Sequence, residues 1–113
     1  MKEFIAACVQ IAITPNDVNA NVDKGVAWLK KAVSEYGAGL VVFPETVTTG
    51  YETGLSAEEL WDLVDDAPGR ITRDIQAAAK ALGVQVVWPS YRRAGERGFV
   101  YNSSILIGPE GEI

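Results

Sequence analysis

A chain of 113 residues is one domain at most, and its 48% apolar and 22% charged residues are ordinary globular usage. The formal charge of −5, without histidine, excludes a nucleic-acid binder that works by neutralising phosphate. Arg92-Arg93 is a basic pair and not a patch, and reads as a solvated strand end.

Phe4 to Ile13 (FIAACVQIAI) is almost wholly apolar and is bounded by Thr14-Pro15-Asn16-Asp17. Such a run suits a strand covered on both faces. Alternation places Cys8 and Gln10 on the same face, with Cys8 a small structural thiol in the core. Cys8 is the single cysteine, so no disulfide forms within the chain, which suits a reducing compartment. The N-terminus reads as a strand, not a signal peptide. With no apolar run of about 18 residues, a cytoplasmic location is expected.

A helix is expected from Asn21 to Tyr36, where Val22, Val26, Leu29, Val33 and Tyr36 form one apolar stripe. Asn19 or Asn21 caps its start, and Gly37 or Gly39 ends it. Leu40 to Phe43 is a second strand, apolar on both faces, followed by a loop containing Thr46, Thr48, Thr49, Gly50 and Gly54. Ser56-Ala57-Glu58-Glu59 is a capping box, with Leu55 and Leu60 at the staple positions. The short helix it opens ends before Ala67-Pro68-Gly69.

A further helix runs from Gly69 to Leu82, with Ile71, Ile75, Ala78, Ala79 and Leu82 as its apolar face and Gly83 as its stop. Val84 to Trp88 is the third strand, Tyr91 to Gly98 a polar connection, and Phe99 to Ile107 the fourth strand. The order β-α-β-α-α-β-β predicts a layered α/β unit with parallel strands. Gly108-Pro109-Glu110-Gly111 is a hairpin-type turn, which a partner strand ordinarily follows. Residues 1–113 are therefore expected to be the N-terminal part of one longer domain, cut after the turn at 108–111. The alternative is a frayed tail on a small complete domain.

The stretch LVVFPETVTTGY, Leu40 to Tyr51, holds the candidate chemistry. Ligands of open α/β sheets bind beyond the carboxyl ends of the strands, and Glu45 follows a strand expected to be central. Pro44 fixes φ and removes a donor, so it can end pairing and aim the next residue. A carboxylate partly desolvated there is pushed up towards the working pH, as a general base requires. From position alone, a solvated loop residue is the commoner outcome. Trp28 and Trp61 read as packing residues. Glu52, Glu58, Glu59, Asp62, Asp65 and Asp66 read as a solvated acidic face whose spacing matches no cation loop, so no metal site is expected.

Taken in order, the first strand ending in Gln10, the phrase VVFPETVTTGY and the later YNSSILIGPEGEI resemble the N-terminal part of the carbon–nitrogen hydrolase (nitrilase) family. The resemblance implies an α-β-β-α sandwich and a Glu-Lys-Cys mechanism. The cysteine attacks a nitrile or amide carbon, the glutamate takes the thiol proton and later activates water, and the lysine stabilises the developing charge. Glu45 matches the family's glutamate. The family's lysine falls just after the closing turn and its cysteine further on, so Cys8, Lys2, Lys24, Lys30, Lys31 and Lys80 match neither. The resemblance further implies a small-molecule amide, nitrile or carbamoyl substrate, a homo-oligomer, and no metal or organic cofactor, nucleic acid or membrane. It also implies that this segment is inactive by itself.

Tyr51 matches the family's Gly-Tyr, and either lines the substrate pocket or packs on the sheet as a loop aromatic. Tyr101 and Asn102 match its Tyr-Asn. Asn102 is expected to be buried, bonding backbone and holding loops rather than touching substrate. Trp88 and Tyr91 depart from the family's usual residues, which leaves a second carboxylate from this segment unsupported. Two other readings stay open. One is a small ligand-binding or regulatory module, complete as it stands, against which stand the missing Gly-rich phosphate loop and the unfinished hairpin. The other is a non-catalytic family member acting as an assembly subunit.

Overall fold

The computed structural model describes residues 2–113. The chain runs β1 (Ile5–Cys8), α1 (Val18–Tyr36), β2 (Ala38–Val42), α2 (Ala57–Leu63), α3 (Arg73–Leu82), β3 (Gln85–Arg93) and β4 (Val100–Ile107), which is the expected order. The strands form one sheet, β1-β2-β3-β4. β1, β2 and β3 are parallel because helical crossovers join them. β4 is antiparallel to β3 because only a tight connection, closed by Ala94 N donating to Phe99 O at 2.9 Å, separates them.

The helices cover one face of this sheet. Val41, Phe43, Val86, Trp88, Ile105 and Ile107 point to that side and meet Val22, Leu29, Ile71 and Ile75 in a continuous core. Trp88 is its centre. Its ring is fully buried and meets Phe43 edge-on at 4.8 Å, and its Nε1 donates to Ile71 O at 2.9 Å. That donor bond removes the penalty of sinking an indole N–H. α1 lies close over the ring because Gly25 has no side chain; a Cβ there would stand 2.7 Å from Trp88 Cζ3.

The other face is uncovered among the described residues. Leu40, Val42, Val87 and Pro89 are half-buried there, and Leu106 is 58% exposed. β1 is accordingly barer and shorter than its composition suggested. It is an edge strand, Ile5 is 53% exposed, and Cys8 is exposed rather than in the core. The alternation itself holds, since Ala7, Val9, Ile11 and Ile13 are partly buried against the core while Cys8 and Gln10 turn outward. An apolar run records that a face can be covered, not that a layer lies over it.

Several boundaries shift for identifiable reasons. α1 starts at Val18, not Asn21, because Asp17 Oδ1 accepts from Ala20 N at 3.0 Å and serves as the cap. It ends at Gly37, whose φ of +67° a residue with a side chain adopts only under strain. The capping box of α2 forms as expected, with Ser56 Oγ accepting from Glu59 N and Glu59 Oε2 from Ser56 N. α3 begins at Arg73, since Gly69 to Thr72 make a turn. β3 continues past Trp88 to Arg93, using residues that composition placed in a connection, because its ladder with β4 runs on to Arg93–Val100.

Arg92 and Arg93 are not a solvated strand end either. Arg92 pairs with Asp66 at 3.0 Å and lies over the Tyr101 ring, while Arg93 lies over Trp61 and donates to Val64 O at 2.8 Å. Trp61 Nε1 donates to Ala94 O at 2.8 Å, so the region of α2 is latched to the hairpin tip. No helix among the described residues is long and apolar enough to cross a membrane.

Gly25→Ala should destabilise the fold by about 1–3 kcal/mol through forced displacement of Trp88, read as a lowered denaturant midpoint. The 113-residue polypeptide by itself should self-associate, because the β4 edge and the apolar sheet face are both open. Light scattering coupled to size exclusion checks this; a monodisperse, cooperatively melting monomer is the contrary result.

Candidate active site

The site is built from the end of β2. Phe43 N donates to Val87 O and Val47 N to Pro89 O, both at 3.0 Å, so β3 grips the chain on either side of Pro44-Glu45. Only a short arch leaves the sheet, and Glu45 is in it. Thr46 then reverses the chain at φ +51°, an uncommon conformation for a β-branched residue. It is fully buried, its Oγ1 donates to Glu45 O at 2.7 Å, and its carbonyl accepts from Thr49 N and Gly50 N at 3.1 and 2.8 Å.

The floor beneath this arch is polar, buried and satisfied. Thr48 Oγ1 and Ser90 Oγ are 2.6 Å apart. Asn21 Nδ2 donates to Thr14 O and Thr48 O at 2.7 and 3.0 Å, and Thr14 N donates to Asn21 Oδ1 at 2.8 Å. Asn21, a candidate cap in the sequence, is thus a fully buried clamp joining α1 to the Glu45 loop. A satisfied network of this kind holds a single loop conformation.

Glu45 itself is exposed, so the partial desolvation expected from its place at the strand end is absent among the described residues. The cause is the bare sheet face towards which it turns. Asn102 Nδ2 donates to Glu45 Oε1 at 2.7 Å. Asn102 was expected to be buried and bonded to backbone; it is exposed and bonds this carboxylate instead. It stands directly opposite Tyr91 across the β3–β4 ladder. The Tyr91 phenol is raised above its ordinary value of 10.0, first by burial, then by Tyr51 and by the Glu45 charge, which places these groups around one spot. Tyr51 is 67% exposed, so it is not packed away as a loop aromatic. Lys24 donates to Ala12 O and Lys31 lies over Trp28, so both are engaged elsewhere. A cleft of about 640 Å³ runs along the β4 edge by Arg92, Ser103, Ile105 and Ile113; Glu45 is not among its walls.

Sequence reasoning found Glu45 and missed its partner. The signal was the length of the fourth strand: once β3 and β4 pair in register, Tyr91 and Asn102 must face one another.

A sheet with helical crossovers, carrying a braced carboxylate beyond the carboxyl end of an inner strand, is the build of an α/β enzyme unit. A family model described as carbon–nitrogen hydrolase matches residues 5–113, and the chain belongs to that family. It is 30% identical to an aliphatic nitrilase of Sinorhizobium fredii over 98% of its length and 40% of the relative's. It is also 30% identical to a formamidase of Bacillus cereus over 97% of its length and 34% of the relative's. A carbon–nitrogen hydrolase superfamily protein from Xanthomonas campestris superposes with a TM-score of 0.80 at 25% identity, covering 98% of this chain and 38% of that one. Nit3 of Saccharomyces cerevisiae has the same fold, with a TM-score of 0.75 at 20% identity over 90% of this chain and 38% of its own. The chain thus spans less than half the length of these relatives.

Glu45→Gln should lower the titration point of Tyr91 yet leave it above 10.0, since burial is the larger cause. Ultraviolet difference titration, with Tyr91→Phe to identify the signal, checks this. An unmoved titration would show that Glu45 is not beside the phenol.

Proposed function

We propose that the protein is a hydrolase of non-peptide carbon–nitrogen bonds in small amides, nitriles or carbamoyl compounds, with Glu45 as its general base. The observation that carries this reading is one carboxylate held at the carboxyl end of an inner strand, with Oε1 bound by Asn102, in a chain matched by the family over residues 5–113. The names of the relatives, an aliphatic nitrilase and a formamidase, support the substrate class.

On this reading the remaining residues follow Ile113. A cysteine thiol, with an ordinary value of about 8.5, passes its proton to Glu45, and the thiolate adds to the substrate carbon. A lysine offsets the negative charge that grows on the substrate's oxygen or nitrogen. With an amide or carbamoyl substrate, Glu45 passes that proton to the departing amine or ammonia as the C–N bond breaks, which leaves a thioester; with a nitrile, water first adds to the thioimidate and ammonia then leaves to give the same thioester. Glu45 next takes a proton from water as it attacks the thioester, and returns it to the sulfur as the C–S bond breaks and the acid is released. The uncovered sheet face, with Leu40, Val42, Val87 and Leu106 on it, suits a second sheet that completes an α-β-β-α sandwich and dries the space around Glu45. Residues 1–113 are then the N-terminal part of one domain and inactive alone. Tyr51 lines the substrate pocket. The enzyme works without metal or organic cofactor, as a homo-oligomer, in the cytoplasm.

Glu45→Gln in the native-length protein should lower kcat by about 10²–10⁴-fold with an unchanged melting curve. Amide or nitrile turnover near the wild-type rate in that variant removes Glu45 from the mechanism.

A further inference from the structure

We propose that Asn102 is a positioning residue for Glu45, holding Oε1 so that the opposite oxygen, Oε2, is presented to the thiol. The proposal rests on the reading of Glu45 as the base. Its evidence is a side-chain contact between two strands: Nδ2 of Asn102 on β4 lies 2.7 Å from Oε1 of a residue at the end of β2, with β3 between them.

The contact is built into the fold from both sides. The Glu45 arch hangs from β3 through Val47 N and Pro89 O. Asn102 is set against the same strand by the pairs Ser90–Ser103, Tyr91–Asn102 and Arg92–Tyr101. A slip of one residue in that ladder would turn Asn102 to the helical face and bring Ser103 or Tyr101 to the carboxylate. Register therefore decides what the base touches.

The chemistry suits an amide. An exposed glutamate samples several rotamers, and ordering it has an entropic cost that a fixed donor can offset. An amide N–H₂ can only donate, so it binds the ionised oxygen without competing for the proton. Among the described residues Oε2 has no protein partner, which leaves it free to accept the thiol proton as the S–H bond breaks.

The test uses the native-length protein with Asn102→Ala, Asn102→Asp and Asn102→Gln, with Glu45→Gln as the reference. The expected result for Asn102→Ala is a loss in kcat on the order of 10- to 100-fold with KM little changed. Asn102→Asp, whose carboxylate repels that of Glu45, should lose more, and Asn102→Gln, which keeps the amide donor, should recover part of the rate. Melting curves should stay close to wild type, because Asn102 is exposed. The carbon-detected NMR resonance of the Glu45 carboxyl, which moves when the Asn102 contact is lost, supplies the same comparison if turnover is too slow to follow. If Glu45→Gln is inactive but the Asn102 variants keep the wild-type kcat and carboxyl resonance, the positioning role is overturned and the hydrolase reading stands. Loss of kcat with a lowered melting point and no recovery in Asn102→Gln also overturns it, as a structural role would. If Glu45→Gln turns over normally, both fall.

Discussion

Two backbone hydrogen bonds govern this molecule, Phe43 N to Val87 O and Val47 N to Pro89 O. Between them the chain has no ladder partner to satisfy, because Pro44 has no N–H and Glu45 and Thr46 arch off the sheet. The arch is too short to wander, and the left-handed turn at Thr46 fixes the course of the backbone that carries Glu45. If β3 were displaced, both the strand end and the carboxylate would be lost together.

What keeps β3 in place lies on the helical side. Trp88 is sunk below α1, with Gly25 above it, Phe43 at its edge and Ile71 accepting from its indole. On the same strand, Ser90 reaches Thr48 and so ties the floor of the Glu45 loop to that core. Packing on one face therefore reaches the polar face through alternating residues of a single strand, Trp88 and Ser90 inward and Pro89 and Tyr91 outward. The two faces differ in kind: one is a closed apolar core, the other an open surface with half-buried aliphatics and a braced carboxylate.

Much of this was legible in the residues. The element order, the stripe of α1, the capping box of α2, the glycine stops at Gly37 and Gly83 and the inner position of β2 follow from spacing and from residues with one strong local preference. The failures share a cause. The apolar composition of the first strand, Cys8 included, resembles that of a core element, yet an edge strand with helices on one side leaves half its residues in solvent. Asn21 and the threonines after Glu45 resemble ordinary loop and cap residues, because a polar side chain does not announce that its partner lies many residues away. Arg92 and Arg93 look solvated in sequence for the same reason, since the aromatic rings beneath them arrive from other elements.

Sequence by itself determined the helix-and-strand order and a carboxylate behind a proline at the end of a strand. These are local facts, set by dihedral preference and by periods of two and 3.6 residues. Only the tertiary structure decided what that carboxylate touches and how wet it is. The partner, Asn102, depends on the register of β4 against β3, and the exposure of Glu45 depends on which sheet face has a layer over it. Both are sums over residues distant along the chain.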